Sequence, residues 1–287
     1  MMSNLDQNIF FWDASAETFT EVTKELNNFR SGTKTLTFDA DDRLYFATNL
    51  PFNHRYFQIT QPNSASATNL IVEYYGADEW ITPSRTLDYT ESLAGATFGQ
   101  SGILQFIPDN QNTIANQSDT DVMDDNFKDH APNVYNMFWC GIGFDAVTTI
   151  GFSYIGQLFS ANDEEIYQQY PLLNEPRFLD QWEAGKTDWL DQRILATNAV
   201  CMELERRAIT IDRNQVLDTA RLNESTIHYA AMTMFSGLGV DRFEKEIKLA
   251  GKRYSDSMFM EKYNVDLNAN ASLDQMERQV SVSMRSR

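Results

Sequence analysis

The chain has 287 residues, a formal charge of −18 and a 42% hydrophobic, 13% aromatic composition. Such a composition belongs to a folded chain with room for two modest domains, and it excludes a disordered one. The charge disfavours tight binding to nucleic-acid phosphates, whose affinity comes largely from Lys and Arg displacing counterions, but it is compatible with a surface past which DNA slides. Residues 1–160 carry 7 Lys/Arg against 20 Asp/Glu and residues 161–287 carry 16 against 21, so the acidity is concentrated in the first half.

The opening MMSNLDQNIFFWDAS has neither the basic start nor the apolar core of a signal peptide. No stretch reaches the roughly 18 apolar residues of a membrane span. Cys140 and Cys201 sit in apolar contexts, one in each half, and read as buried thiols of a reducing compartment.

The grammar of the chain changes near residue 160. Before it, short aromatic and β-branched runs alternate with turns. The strand candidates are Ile9–Phe11, Phe19–Val22, Thr33–Phe38, Leu44–Ala47, Tyr56–Thr60, Asn69–Tyr75, Gly102–Ile107, Tyr135–Phe144 and Thr149–Tyr154. Glu17–Phe29 has a helical alternative. Many short strands at even spacing favour a β-sandwich, jelly-roll-like, over residues 1–160.

Residues 108–133 interrupt that pattern with an acidic insertion. Asp119, Asp121, Asp124, Asp125 and Asp129 are the ligand type that calcium prefers, yet the segment lacks the glycine and terminal glutamate of the EF-hand spacing. A solvated insertion is the plainer reading, and His130 beside it is incidental.

After residue 160 the periodicity is helical. Asn162 caps an acidic first turn in NDEEIYQQY, which ends before Pro171, and Pro176 starts a second helix with Phe178, Leu179 and Trp182. A long helix over 187–208 places Leu190, Ile194, Thr197, Cys201 and Leu204 on one stripe. Another runs over 225–235 and ends at Gly237 and Gly239. The last, over 240–263, aligns Phe243, Ile247, Ala250, Tyr254 and Met258. These elements form an α-helical bundle over 161–265, and the polar 266–287 reads as an extended C-terminal arm. The fold class is thus α+β, a sandwich followed by a bundle. The stripes have packing as their sufficient explanation. Met232, Met234, Met258, Met260 and Met276 could also serve an adaptable interface.

No catalytic constellation emerges. The chain contains no G-x-S-x-G, P-loop, H-E-x-x-H or C-x-x-C motif, and His54, His130 and His228 are scattered. The carboxylate pairs Asp41/Asp42 and Asp78/Glu79 fall in turn-like segments, where they give glycoside hydrolysis little support. A non-enzyme is expected, with no catalytic, cofactor or metal residues.

Four segments, FFWDASAETFTEVT, LYFATNLPFNHRYFQIT, LIVEYYGADEWI and FGQSGILQFIP, resemble a group of tailed-bacteriophage virion proteins whose sandwich repeats strand–Gly–Trp hairpins and a Q-S-G-x-[IL] strand. The segment DWLDQRILATNAVCMELERR, with the two helices and polar tail after it, is similar to the helical head-to-tail connector proteins of such phages. The chain departs from them in carrying an attached sandwich and the acidic insertion. The resemblance implies a structural head-to-tail adaptor at the virion neck, made in the host cytoplasm. Its partners would be copies of itself in a ring of about twelve, the portal protein, tail or other neck proteins and passing DNA, with no membrane. The competing reading is a peripheral virion or baseplate carbohydrate-binding module, in which Trp80, Tyr74 and Tyr89 stack on sugars.

Overall fold

The computed structural model describes residues 7–28, 32–63, 68–76, 79–108, 116–117, 137–157, 162–210, 213–217, 219–260, 262–263, 265–266 and 280–281. The protein is α+β, with strands mostly in its N-terminal part and helices in its C-terminal part. It divides into two compact units between Gly156 and Gln157.

The first unit contains β1 (Gln7–Asp13), β2 (Thr18–Glu21), the single helical turn α1 (Thr23–Leu26), β3 (Lys34–Phe38), β4 (Arg43–Thr48), β5 (His54–Gln61) and β6 (Leu70–Gly76). It continues with β7 (Glu79–Ile81), β8 (Arg85–Asp88), β9 (Gly102–Ile107), β10 (Asn116–Gln117), β11 (Met137–Phe144) and β12 (Thr148–Gly156). These strands make two antiparallel sheets, ordered β2-β1-β4-β11-β6-β7 and β3-β12-β5-β9-β8, with β10 beside β11. The last two strands enter the middle of both sheets: β11 separates β4 from β6, and β12 separates β3 from β5.

Pleating sends alternate side chains to opposite faces. Leu44, Phe46, Val72, Tyr74, Cys140 and Ile142 from the first sheet meet Phe57, Leu104, Phe106, Ile150 and Phe152 from the second in one core. Edge-to-face pairs knit it together, among them Phe57 with Phe98 at 4.8 Å and Phe38 with Phe144 at 4.9 Å, each contributing about 1 kcal/mol beyond area burial. Arg55 is also buried. Its guanidinium lies 3.8 Å over the Phe52 ring, and its Nε donates to Gln7 Oε1 at 2.9 Å. Gln7 Nε2 in turn donates to Ile155 O and to Asn27, joining β1, β5, β12 and the turn after α1.

The expected strands appear, with two differences. The Glu17–Phe29 segment is both strand and helix: it opens as β2, and Thr23 Oγ1 then accepts from Ile9 N at 2.9 Å, starting one turn against the sheet. The strand β8 was not anticipated, because its polar sequence RTLD lacks the β-branched pattern. The acidic aspartates and His130 lie outside the described residues, of which that insertion contributes Pro108 and Asn116–Gln117, the latter paired with β11.

The second unit contains α2 (Asp163–Gln169), a 3-10 turn at Pro171–Asn174, α3 (Pro176–Trp182), α4 (Leu190–Arg206), α5 (Thr219–Gly239) and α6 (Glu244–Met260). Asn162 caps α2 as its sequence implies, accepting from Glu165 N at 3.2 Å. The start of α4 takes acceptors from elsewhere: Asp188 receives Leu190 N, and Asp163 receives Trp189 N at 2.9 Å. The anticipated stripe of α4 is buried throughout. Helix α5 is longer than expected at both ends. Gly237 does not end it but lies inside it, because the Trp182 ring occupies the space where a Cβ would stand. Gly239, at φ +137°, is the terminus.

Of residues 266–287, Asp266 is buried, with its N–H donating to Gln215 O at 2.8 Å. A two-residue strand β13 (Lys262–Tyr263) pairs with β14 (Val280–Ser281). Cys140 and Cys201 are free and buried. Met234 and Met258 are core residues rather than interface, while the side chains of Met260 and Met276 fall outside the described residues. No helix among the described residues is long and apolar enough to cross a membrane.

Candidate functional site

The titratable residues that the sequence brings forward are dispersed. His54 lies in the sandwich core, its Nδ1 2.9 Å from Asn53 Oδ1, and burial lowers its pKa to about 3. Asp42 organises a turn, its two oxygens accepting from Ala14 N and Asp39 N at 2.8 Å each. Asp41 and Glu79 are exposed, and Asp78 lies outside the described residues. Among the described residues no three His, Cys, Asp or Glu side chains gather to hold a metal.

One titratable cluster in the helical unit joins Asp163 to Arg193 at 2.8 Å, and another surrounds His228. This imidazole is buried on α5, with Nδ1 2.8 Å from Tyr170 Oη and Nε2 3.4 Å from Glu224 Oε1. The Arg253 guanidinium of α6 lies 5.7 Å from the centre of the Tyr170 ring. With the Glu224 carboxylate facing Nε2, that nitrogen carries the hydrogen and Nδ1 accepts from the Tyr170 hydroxyl. Burial holds the imidazole pKa below its ordinary value, Glu224 draws it back up and Arg253 adds to the lowering. The cluster borders an open groove of about 650 Å³, whose lining also includes Gln168, Asp256 and Ser257. Ser257 shares a 2.8 Å hydrogen bond with Ser225. The sequence pointed to the histidine but not to this cluster, because Tyr170, Glu224 and Arg253 reach it from three elements.

Apolar side chains outside the two main cores gather at two places. On α4, Leu195 and Met202 are 54% and 56% exposed, two turns apart on the side opposite the buried stripe. Half-buried Ala199 lies between them on the same side.

The other surface is the outer face of the first sheet. Register places Trp12 beside Phe19, Phe10 beside Tyr45, and Ala47 beside Trp139, with Tyr75 beside Trp80. All share the parity opposite the core. Their rings form a connected layer: Trp12–Phe19 at 4.4 Å, Phe19–Tyr45 at 6.1 Å, Tyr45–Trp80 at 5.1 Å and Trp80–Tyr75 at 5.8 Å. Two glycines of β11 make room for side chains of β4. A Cβ on Gly141 would meet Tyr45 Cε1 at 2.9 Å, and one on Gly143 would meet Arg43 Nη1 at 2.6 Å. Arg43 faces Glu73 across this gap at 3.5 Å. Phe10 and Trp139 are buried, whereas Trp12, Tyr45 and Trp80 keep part of their surface exposed.

The three aromatics expected to stack on sugars have different environments. Tyr74 belongs to the core, stacked 6.1 Å from Phe106, and Tyr89 is 58% exposed just beyond β8 of the other sheet. Trp80 alone joins the outer layer. No protein-family model matches the chain, and no curated protein matches it.

Proposed function

We propose that the protein is a structural component of a tailed-bacteriophage virion, a head-to-tail adaptor that forms a ring below the portal at the neck. The observation that carries this reading is the exposed apolar pair Leu195 and Met202 on α4, a helix whose stripe Leu190, Ile194, Thr197, Cys201 and Leu204 is committed to the core. A ring built head to tail needs such a patch on every copy, meeting a different surface on the next. The resemblance of α4 and the helices after it to phage connectors supports the same assignment. The interleaved strand order supports the finer description of the sandwich as jelly-roll-like. On this reading the protein acts in the virion neck, in about twelve copies, with portal and tail proteins as neighbours and no catalysis. The charge of −18 per copy makes the ring strongly negative, so that DNA passes its channel without specific binding.

Native mass spectrometry of the chain mixed with the portal ring of the same virus tests the reading. The expected result is one copy per portal subunit, lost in the Leu195→Glu/Met202→Glu variant while its circular dichroism stays unchanged. A chain that remains monomeric with the portal at low and physiological ionic strength overturns it.

A further inference from the structure

Leu93, at the tip of the loop joining β8 to β9, is the most exposed large apolar side chain among the described residues, with none of its surface covered. We infer that it is the knob by which one copy docks on α4 of the next, entering the recess between Leu195 and Met202. The inference rests on the ring reading above and names the surface that meets the α4 pair. The loop that carries Leu93 is tied down throughout. Gln100 N donates to Thr90 O at 3.0 Å, Ser92 N to Ala96 O at 2.9 Å and Gly95 N to Ser92 O at 2.8 Å. Asp88 accepts from Thr90 N at 2.8 Å and from the Thr97 hydroxyl. Asn63 clamps the far side, its N donating to Phe98 O and its Nδ2 to Thr97 O, each at 3.0 Å. The Phe98 ring is locked among Phe57, Phe144 and Phe152, although its backbone, at φ 53°, lies in the left-handed region that bulky residues avoid. The tip is thus held in one conformation before any partner arrives, so docking sacrifices little loop entropy.

The recess on α4 has the form that takes such a knob. Leu195, Asn198, Ala199 and Met202 stand at i, i+3, i+4 and i+7, the four positions that surround one hole on a helix surface. Exposed Leu195 and Met202, about 10 Å apart along the axis, are its ends, with half-buried Asn198 and Ala199 between them. Asn198 is held in place by Arg213, whose Nη1 donates to its Oδ1 at 2.8 Å. On the loop, Ala94 and Gly95 beside Leu93 are small and exposed, which lets a helix approach the tip closely. Charge favours a second copy as the occupant. Two chains of −18 repel each other, and they meet most readily where each is locally neutral. Glu91 is the only charged residue from Tyr89 to Ser101, in a half that holds 20 Asp/Glu against 7 Lys/Arg. None of the four recess residues is charged, and neighbouring Glu203 is balanced by Arg206 and Arg207 at 2.7 and 2.6 Å. Loop and recess are different surfaces, as a head-to-tail contact requires. Anchoring to lipid would need more apolar surface than one leucine supplies.

Cross-linking of the full Leu93→Cys/Ala199→Cys chain with a short bismaleimide, alone and with the portal ring, tests the inference. Cys140 and Cys201 are buried and stay out of the reaction. The expected product is a ladder of covalent oligomers on denaturing electrophoresis, whereas a mixture of the two single variants should give a dimer and nothing larger. Leu93→Asp in the otherwise unaltered chain should lose ring assembly in native mass spectra with its denaturation midpoint unchanged, because the side chain is uncovered in its own chain. Absence of a ladder in both samples overturns the inference, and if the portal is nonetheless bound, the adaptor reading stands. A ladder from a chain that does not bind the portal upholds the docking contact and overturns the adaptor reading instead. Equal cross-linking from Val147→Cys/Ala199→Cys, with Val147 66% exposed elsewhere on the sandwich, marks random collision and overturns the inference. So does co-sedimentation with phosphatidylcholine vesicles that Leu93→Asp abolishes, which would assign the tip to lipid.

Discussion

Replacing Gly237 with alanine sets two effects of opposite sign against each other. Within a helix the change to Ala is favourable by about 1 kcal/mol, because glycine loses the most backbone entropy on folding. Gly237 lies inside α5, so that gain is available to it. Against it stands the Trp182 indole, whose far edge occupies the position a Cβ would take. The ring cannot retreat freely, since it packs edge-on against the buried Trp189 at 5.6 Å. Forcing a methyl group into a packed contact costs about 1–3 kcal/mol. The expected result for Gly237→Ala is therefore a helical unit destabilised by up to about 2 kcal/mol, which is the overpacking cost less the propensity gain. In a Trp182→Ala background the same change should stabilise by about 1 kcal/mol, a reversal that a double-mutant cycle reports as coupling. Urea denaturation followed by far-UV circular dichroism, dominated by the helices, provides the assay. A Gly237→Ala protein more stable than the parent would refute the claim that the indole, not helix termination, dictates glycine here.

Acid should weaken both units. His228 is held below its ordinary pKa chiefly by burial, and so is His54, so the folded state favours both neutral imidazoles. Their contribution is complete above about pH 6.5, the unfolded value, and is lost as pH falls toward the lowered folded values. His228→Asn should flatten the pH dependence of the helical signal between about pH 6.5 and 5; an unchanged slope would assign it to other groups. Arg55→Leu should destabilise the sandwich by about 2–3 kcal/mol, because Gln7 Oε1 loses a charged donor in a buried site, as denaturant titration will measure. Burial pushes the Cys140 thiol far up, and Cys201 is equally enclosed, so neither should react with iodoacetamide until denaturant is added, as intact mass will report.

The parts of the fold legible in the sequence were those governed by local chemistry. Asn162, the acidic turn after it and Pro171 bracket α2, because a cap and a proline act on their own few residues. The α4 stripe was visible because five apolar or small residues repeat at helical spacing. Parity in the sandwich was not. Tyr74 and Trp80 read alike in LIVEYYGADEW, but pairing of β6 with β11 turns Tyr74 inward, while the β7 hairpin sets Trp80 beside outward-facing Tyr75. The strand MFWCGIGF hides its alternation altogether, since Trp139 faces out, Cys140 and Ile142 face in, and both sides are apolar. The His228 cluster was only partly legible: Glu224 sits four residues before His228 on one helix, a pairing that local spacing supplies, whereas no local rule brings Tyr170 and Arg253 to the same imidazole.

The placement of β11 and β12 has a consequence for synthesis on the ribosome. Without them, the first sheet is two fragments, β2-β1-β4 and β6-β7, while β3 has no neighbour in the second. Emerging strands before Met137 thus expose unpaired edges and aromatic faces that cannot yet close over one another. Completion waits for two consecutive strands, one for each sheet, whose partners left the exit tunnel long before, a connectivity of high contact order that folds slowly. The nascent chain is most exposed to aggregation in that interval, and holdase chaperones would have their longest opportunity there. Once residue 156 is free, β11 and β12, joined by a short connection that crosses from one sheet to the other, convert separate pieces into both sheets.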